Sequence, residues 1–194
     1  MTGLPPVPGT RRAAVQRART VLVAGVSGGT GTTTVAALLV DAAGARRGAV
    51  VQASDHSGGE LASRLPRLDP ASTRDAVHDA GAHVLPAAHL AAAPENALVV
   101  VGRASDEGAA DAVAALDTAA TADPSLPART VVVLVDRTAR GTAPDLGTLR
   151  ARGVGAVVVL RRDPALGRPG RIDPGRFARA TVEAAGAVLT ALRW

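Results

Sequence analysis

The stretch from Thr20 to Val40, TVLVAGVSGGTGTTTVAALLV, limits what this chain can fold into more than any other. A β-branched and apolar run, Val21 to Ala24, breaks at Gly25 into a turn that carries Gly28, Gly29 and Gly31. Thr30 lies inside the turn, Thr32, Thr33 and Thr34 follow it, and an apolar helical pattern starts at Val35. A strand, a glycine-rich turn and a hydroxyl-rich helix start together form a cradle for phosphate. Glycines let the backbone curl with its N–H groups inward, and the helix N-terminus adds partial positive charge. Gly28, Gly29, Thr30, Gly31, Thr32, Thr33 and Thr34 are therefore candidate phosphate-binding residues.

The turn lacks the group that makes such loops bind tightly. In the pattern G-x-x-x-x-G-K-[ST], a lysine reaches the β- and γ-phosphates and the next hydroxyl ligates Mg²⁺. Thr32 occupies the lysine position, Thr33 the hydroxyl position, and Val26 the place of the first glycine. The chain contains no lysine, so no other segment can lend one.

The remaining elements alternate. Strands are expected at Thr20–Ala24, Ala49–Ala53, Asp75–Asp79, Ala97–Val101, Thr130–Val135 and Ala156–Leu160, the last two as buried apolar runs. Helices are expected at Thr32–Ala43 (stopping at Gly44), in a short segment reaching Leu65, at Asp106–Ala122, around Leu146–Arg152, and from Pro174 to Trp194. This alternation predicts an α/β three-layer sandwich, with a mostly parallel sheet of about six strands and helices on both faces. With 194 residues and no internal repeat, residues 20–194 read as a single domain. Residues 1–19, rich in Pro, Gly and Arg, read as a disordered arm.

SGGTGTTT resembles the KGGxGKTT loop of the ParA/MinD-like (SIMIBI-class) P-loop ATPase family. Ser27 stands at that family's signature lysine and Thr32 at its P-loop lysine. ASDHSG resembles the family's D-x-D-x-x-G, with the first Asp replaced by Ala53 and the second kept as Asp55. Asp55 is therefore the candidate catalytic carboxylate, its structural alternative being a turn cap with Ser57 and Gly58. RDAVHDAGA resembles the Walker B stretch, which makes Asp79, with Thr33, a candidate for Mg²⁺. TVVVLVDR resembles a later strand that in many relatives ends in an Asn beside the adenine; here Asp136 and Arg137 hold that end. AVVVLRRDPAL resembles the late strand and its loop against the base, with Asp163 and Pro164 kept. The closing helix fits the same family, and the spacing from Asp55 to Asp79 is shorter than usual, where relatives carry switch and partner-contact elements.

The resemblance implies ATP or ADP with Mg as the cofactor, if one binds. It implies a degenerate, pseudo-ATPase-like protein with weak or no ATP binding and hydrolysis. The role would be regulation or scaffolding in a larger cytoplasmic assembly with a protein partner. A homodimer stays open, although the dimer-bridging lysine contact is missing at Ser27. The alternative is an NmrA-like, Rossmann-type dinucleotide sensor: Gly25, Gly28 and Gly31 also form G-x-x-G-x-x-G, with Asp55 as a ribose ligand. Dehydrogenase catalysis itself needs a Tyr and a Lys, and the chain has neither.

Composition removes other classes. The absence of cysteine excludes disulfide and thiolate chemistry and fits the cytoplasm. No run is apolar enough to span a bilayer, and no secretory leader is legible before Thr20. The formal charge of +5 is carried entirely by arginine and reads as a solvated surface rather than a nucleic-acid footprint. Only the arm, with Arg11, Arg12, Arg17 and Arg19, offers a contact for nucleic acid or another acidic partner. Arg171, Arg176 and Arg179 ahead of an apolar helix end read as packing onto the sheet, not as a membrane tail. His56, His78, His83 and His89 show no metal-ligand spacing and read as structural or surface residues.

Overall fold

A computed structural model of the chain describes residues 19–56, 59–66, 73–138 and 144–194. Six strands, β1 (Thr20–Gly25), β2 (Gln52–Asp55), β3 (Ala76–Asp79), β4 (Ala97–Arg103), β5 (Val131–Val135) and β6 (Ala156–Leu160), form one sheet in the order β2-β3-β1-β4-β5-β6. Every pairing is parallel. The helices are α1 (Thr32–Arg47), α2 (Glu60–Arg64), α3 (Val84–Ala91), α4 (Asp106–Ala122), α5 (Leu126–Arg129), α6 (Gly147–Ala151) and α7 (Arg179–Ala191).

The period of two along each central strand divides the core. Val21, Val23, Val99, Val101, Val131 and Val133 face one layer, where they pack with α1, α7 and the two leucines of the α2 segment, Leu61 and Leu65. Leu22, Ala24, Leu98, Val100, Val132 and Leu134 face the other, under α3, α4 and α6. Both faces of β1, β4 and β5 are thus covered, which is why these strands read as continuous apolar runs. The expected α/β three-layer fold is the observed one.

Several boundaries differ for local reasons. The first helix does not stop at Gly44 but continues to Arg47. A Cβ on Gly44 would lie 3.1 Å from the Ala49 carbonyl, so this glycine makes room for the returning chain. Gly48 (φ 60°) is the actual cap, and its N–H and that of Ala49 both reach the Gly44 carbonyl. The second strand lies at Gln52–Asp55, not Ala49–Ala53, because its register is set by β3 alone, Gln52 opposite Ala76. β6 is an edge strand rather than a buried one, and Val159 is 36% exposed. The final helix is interrupted: a 3₁₀ turn at Pro174–Arg176 is followed by extended Phe177 and Ala178 before α7 starts.

Helices α3 and α5 were not anticipated from the sequence. α3 buries only the small side chains Ala87, Ala88 and Ala91. Arg19 belongs to the folded domain and not to the arm. Its N–H donates to Asp75 Oδ1 at 3.0 Å and its guanidinium donates to the Arg193 carbonyl at 2.6 Å. The rest of the expected arm, residues 1–18, lies outside the described residues, as do Ser57 and Gly58. Among the described residues, no helix is long and apolar enough to cross a membrane.

Ser105 caps α4 by accepting from the Gly108 N–H at 3.1 Å, and Asp106 and Glu107 occupy the first turn. A Cβ on Gly108 would stand 2.2 Å from the Arg103 carbonyl oxygen. Gly108→Ala is therefore expected to destabilise the protein by about 1–3 kcal/mol or more through overpacking. Gly186→Ala, on α7 with nothing within 4 Å of its Cβ position, is expected to stabilise it by ~0.5–1 kcal/mol. Urea unfolding of the two variants checks the opposite signs.

Candidate phosphate-binding site

The site is built where the connections part. α1 leaves β1 toward one face of the sheet and α4 leaves the adjacent β4 toward the other. In open α/β sheets the crevice at the carboxyl ends of such strands is the binding position. The turn between β1 and α1 lies at that end. It is anchored by Gly25 N–H to the Gly81 carbonyl (2.7 Å) and Val26 N–H to the Val101 carbonyl (2.9 Å).

Inside the turn, two threonines close the loop on itself. The Thr30 hydroxyl donates to the Ser27 carbonyl at 3.0 Å and lies 3.2 Å from the Thr32 hydroxyl. A hydroxyl has one proton, so with Thr30 donating to Ser27, Thr32 is the donor of the second bond. Thr30 is fully buried and Thr32 is 7% exposed. A Cβ on Gly25 would stand 2.3 Å from Thr32 Oγ1 and 2.6 Å from Thr30 Oγ1, which makes glycine obligatory there. The residue at the lysine position thus points inward, beneath the loop.

The outer rim is open. Gly28 and Gly29 are exposed, with nothing within 4 Å of either Cβ position, and Gly29 (φ 72°) and Gly31 (φ 97°) adopt left-handed backbone that favours glycine. Gly31 is the N-cap of α1, its carbonyl accepting from the Val35 N–H at 2.9 Å. Thr33 and Thr34 are half-buried in the first turn. This backbone has the shape that takes an anion on N–H groups.

The carboxylates take different positions. Asp79 ends β3, opposite Val23 of β1 and Asp55 of β2, and is 3% exposed. Its Oδ1 accepts from the Gly81 N–H at 2.9 Å. The stretch from Ala76 to Asp79 is thus a strand beside β1, on the same end of the sheet as the glycine turn. Asp55 accepts from the Gly59 N–H (2.9 and 3.1 Å) and from the Leu61 N–H (2.7 Å), capping the start of α2. The alternative cap with Ser57 and Gly58 falls on positions outside the described residues. Among the described residues, no group of three or more His, Cys, Asp or Glu is placed to hold a metal ion. A magnesium ion would depend on Thr33, Asp79 and oxygens of its own nucleotide.

Asp136 folds back on Thr138, accepting from its N–H (2.8 Å) and hydroxyl (3.0 Å). Arg137, next to it, reaches the glycine turn instead: its guanidinium donates to the Gly29 carbonyl at 3.0 Å. The exposed Arg137 is a cation on the rim of a loop that has none. Asp163 is 6% exposed and satisfied internally, accepting from Ala165 N–H (2.8 Å), Ala178 N–H (2.8 Å) and the Thr181 hydroxyl (2.6 Å). It ties the loop after β6 to the start of α7.

Two contacts carried no signal in the sequence. His56 and His83 meet edge-to-face with ring centroids 4.4 Å apart, although 27 positions separate them in the chain. Arg64, at the end of α2, binds the loop after β6 and the first turn of α1.

No protein-family model matches the chain, and no curated protein matches it in sequence. Among solved structures it is similar to a ParA family ATPase from Chlorobium tepidum TLS, with a TM-score of 0.54 and 14% identity over 91% of this chain and 92% of that one. It also aligns with a Rossmann-fold NAD(P)-binding family protein from Shigella flexneri, with a TM-score of 0.42 and 15% identity over 90% and 87% of the two chains. The first similarity shows the fold: a parallel α/β sheet of the ParA kind.

Burial alone would raise the Asp163 carboxyl, but bonds from the Thr181 hydroxyl and the Ala178 and Ala165 N–H groups hold it below the ordinary carboxylate value. A folded-state value below the unfolded one stabilises the protein above about pH 4, and that stability is lost as pH falls through the lowered value. Asp163→Asn is therefore expected to cost about 1–3 kcal/mol at pH 7. Its deficit relative to the parent protein should shrink in acid. Urea unfolding across pH 7 to 3 checks this.

Proposed function

We propose that this chain is a degenerate ParA/MinD-like protein, a pseudo-ATPase that binds an adenine nucleotide weakly and hydrolyses it poorly or not at all. The observation that carries the reading is Thr32. It occupies the lysine position, yet its side chain is buried under the loop and its hydroxyl is bonded to Thr30. The phosphates would then meet backbone N–H groups from Gly28 to Thr34 and the α1 N-terminus, without the positioned ammonium. Losing one preorganised group of that kind costs on the order of 3–4 kcal/mol in a transition state.

Thr33 and Asp79 are the residues that would face Mg²⁺, and the ion, when bound, would neutralise phosphate charge. Arg137 is the cation best placed to add to the rim, through the guanidinium that already meets Gly29. Asp55 would be the inherited catalytic position; its bonds to the α2 amides favour a structural use and support the loss of hydrolysis. In the alternative, an NmrA-like dinucleotide sensor, Asp55 would be the ribose ligand. Asp136 and Asp163 would border the base side of the site, positioned by the turns they cap. The role is regulation or scaffolding of a larger cytoplasmic assembly through a protein partner.

Thermal unfolding with millimolar ATP or ADP plus Mg²⁺, alongside NAD(P)H, tests the reading. A ligand bound only by the folded state adds about 1.4 kcal/mol at tenfold and ~2.7 kcal/mol at a hundredfold excess over its Kd. A rise with Mg-nucleotide is expected that is lost in the Thr33→Ala, Asp79→Ala double variant and reduced in Arg137→Ala, with no phosphate release above background. A rise with NAD(P)H alone would overturn it.

A further inference from the structure

Arg64 stands at the end of α2, a helix of one turn whose segment is held to the core by Leu61 and Leu65. Its guanidinium gathers acceptors from two distant parts of the chain. One terminal nitrogen donates to the carbonyls of Arg168 and of Gly170, the latter at 2.9 Å. The other donates to the Leu166 carbonyl at 2.6 Å and to the Thr34 hydroxyl at 3.3 Å. All four N–H bonds of the two terminal nitrogens therefore have an acceptor. The Arg64 backbone takes part as well, since its carbonyl accepts from the Ile172 N–H at 2.9 Å.

Three of those four acceptors belong to the loop after β6, and the fourth lies in the first turn of α1. Gly167, Arg168, Pro169, Gly170 and Arg171 are all exposed, and the loop's apolar anchors are Leu166 and Ile172 at its two ends. Arg64 bonds to this loop at Leu166, Arg168 and Gly170. At the other end of α2, Asp55 binds the Gly59 and Leu61 amides.

We propose that Arg64 is a strap that joins α2, the loop 166–172 and the first turn of α1 into one unit, which opens and closes together beside the glycine turn. A planar guanidinium can satisfy carbonyls spread along a loop in a way that a point ammonium cannot, so lysine is not an equivalent here. The unit is a conformational device: Thr34 follows Thr33 directly, so whatever orders the first turn of α1 also orders the surface formed by α2 and the loop. In that last respect it deepens the nucleotide reading above and rests on it. The strap itself does not.

The experiment uses the full chain with no nucleotide. Amide hydrogen exchange is compared in the parent protein, Arg64→Ala and Arg64→Lys. Both variants are expected to exchange at least tenfold faster at residues 60–65 and 164–172 together, while β1, β4 and β5 keep their protection. Thr34→Val, which removes only the α1 arm, is expected to leave the loop protected and to loosen the first turn of α1. Unchanged exchange at 164–172 in Arg64→Ala, or full rescue by lysine, would overturn the strap. So would a loss of protection that spreads evenly over the core. A repeat with Mg-ADP separates the two readings, because protection gained at Gly28–Thr34 without any change at 164–172 would overturn the coupling and leave nucleotide binding standing.

Discussion

The contact on which the site depends is the one between the hydroxyls of Thr30 and Thr32 beneath the glycine turn. It closes the loop from inside and lets a structure of this shape persist without a cation at its centre. Two small β-branched residues fill the space over Gly25, which can only be glycine because they are there. The consequence is chemical as well as structural. A side chain bonded inward cannot reach a terminal phosphate, so what this loop offers a ligand is backbone N–H and helix partial charge.

The carboxylates around the site follow a related pattern. Asp55 and Asp163 are each engaged with backbone amides at the start of a neighbouring helical segment. Asp79 retains a place at the end of the strand beside β1, bonded to the turn that follows it. Between Asp55 and β3 the described residues contain one turn of helix, α2.

Much of the fold was legible because β1, β4 and β5 are apolar on both faces and α4 carries its own Ser105 cap and acidic first turn. The glycine turn was legible because positive φ at Gly29 and Gly31 needs the residue that the sequence supplies. What stayed hidden has physical reasons. α3 buries small alanines while its larger Leu85 and Leu90 face solvent, so its apolar side chains do not mark the packed face. The end of α1 is not marked in the sequence, because Gly44 serves a close approach and Gly48 the cap, and the residue type is the same for both uses. Arg64 and Arg137 act across more than 100 positions of sequence. In a chain whose 22 basic residues are all arginine, neither stands out.

The most direct measurement is a titration of ¹⁵N-labelled protein with Mg-ADP, followed by the amide resonances. If the backbone of the glycine turn is the phosphate site, the largest shifts fall on Gly28 to Thr34, and they weaken in Thr32→Val, which removes the contact that closes the loop from inside. Shifts that avoid those seven amides, or an absence of any at millimolar nucleotide, would contradict a phosphate-binding turn and leave the loop as an element of structure alone.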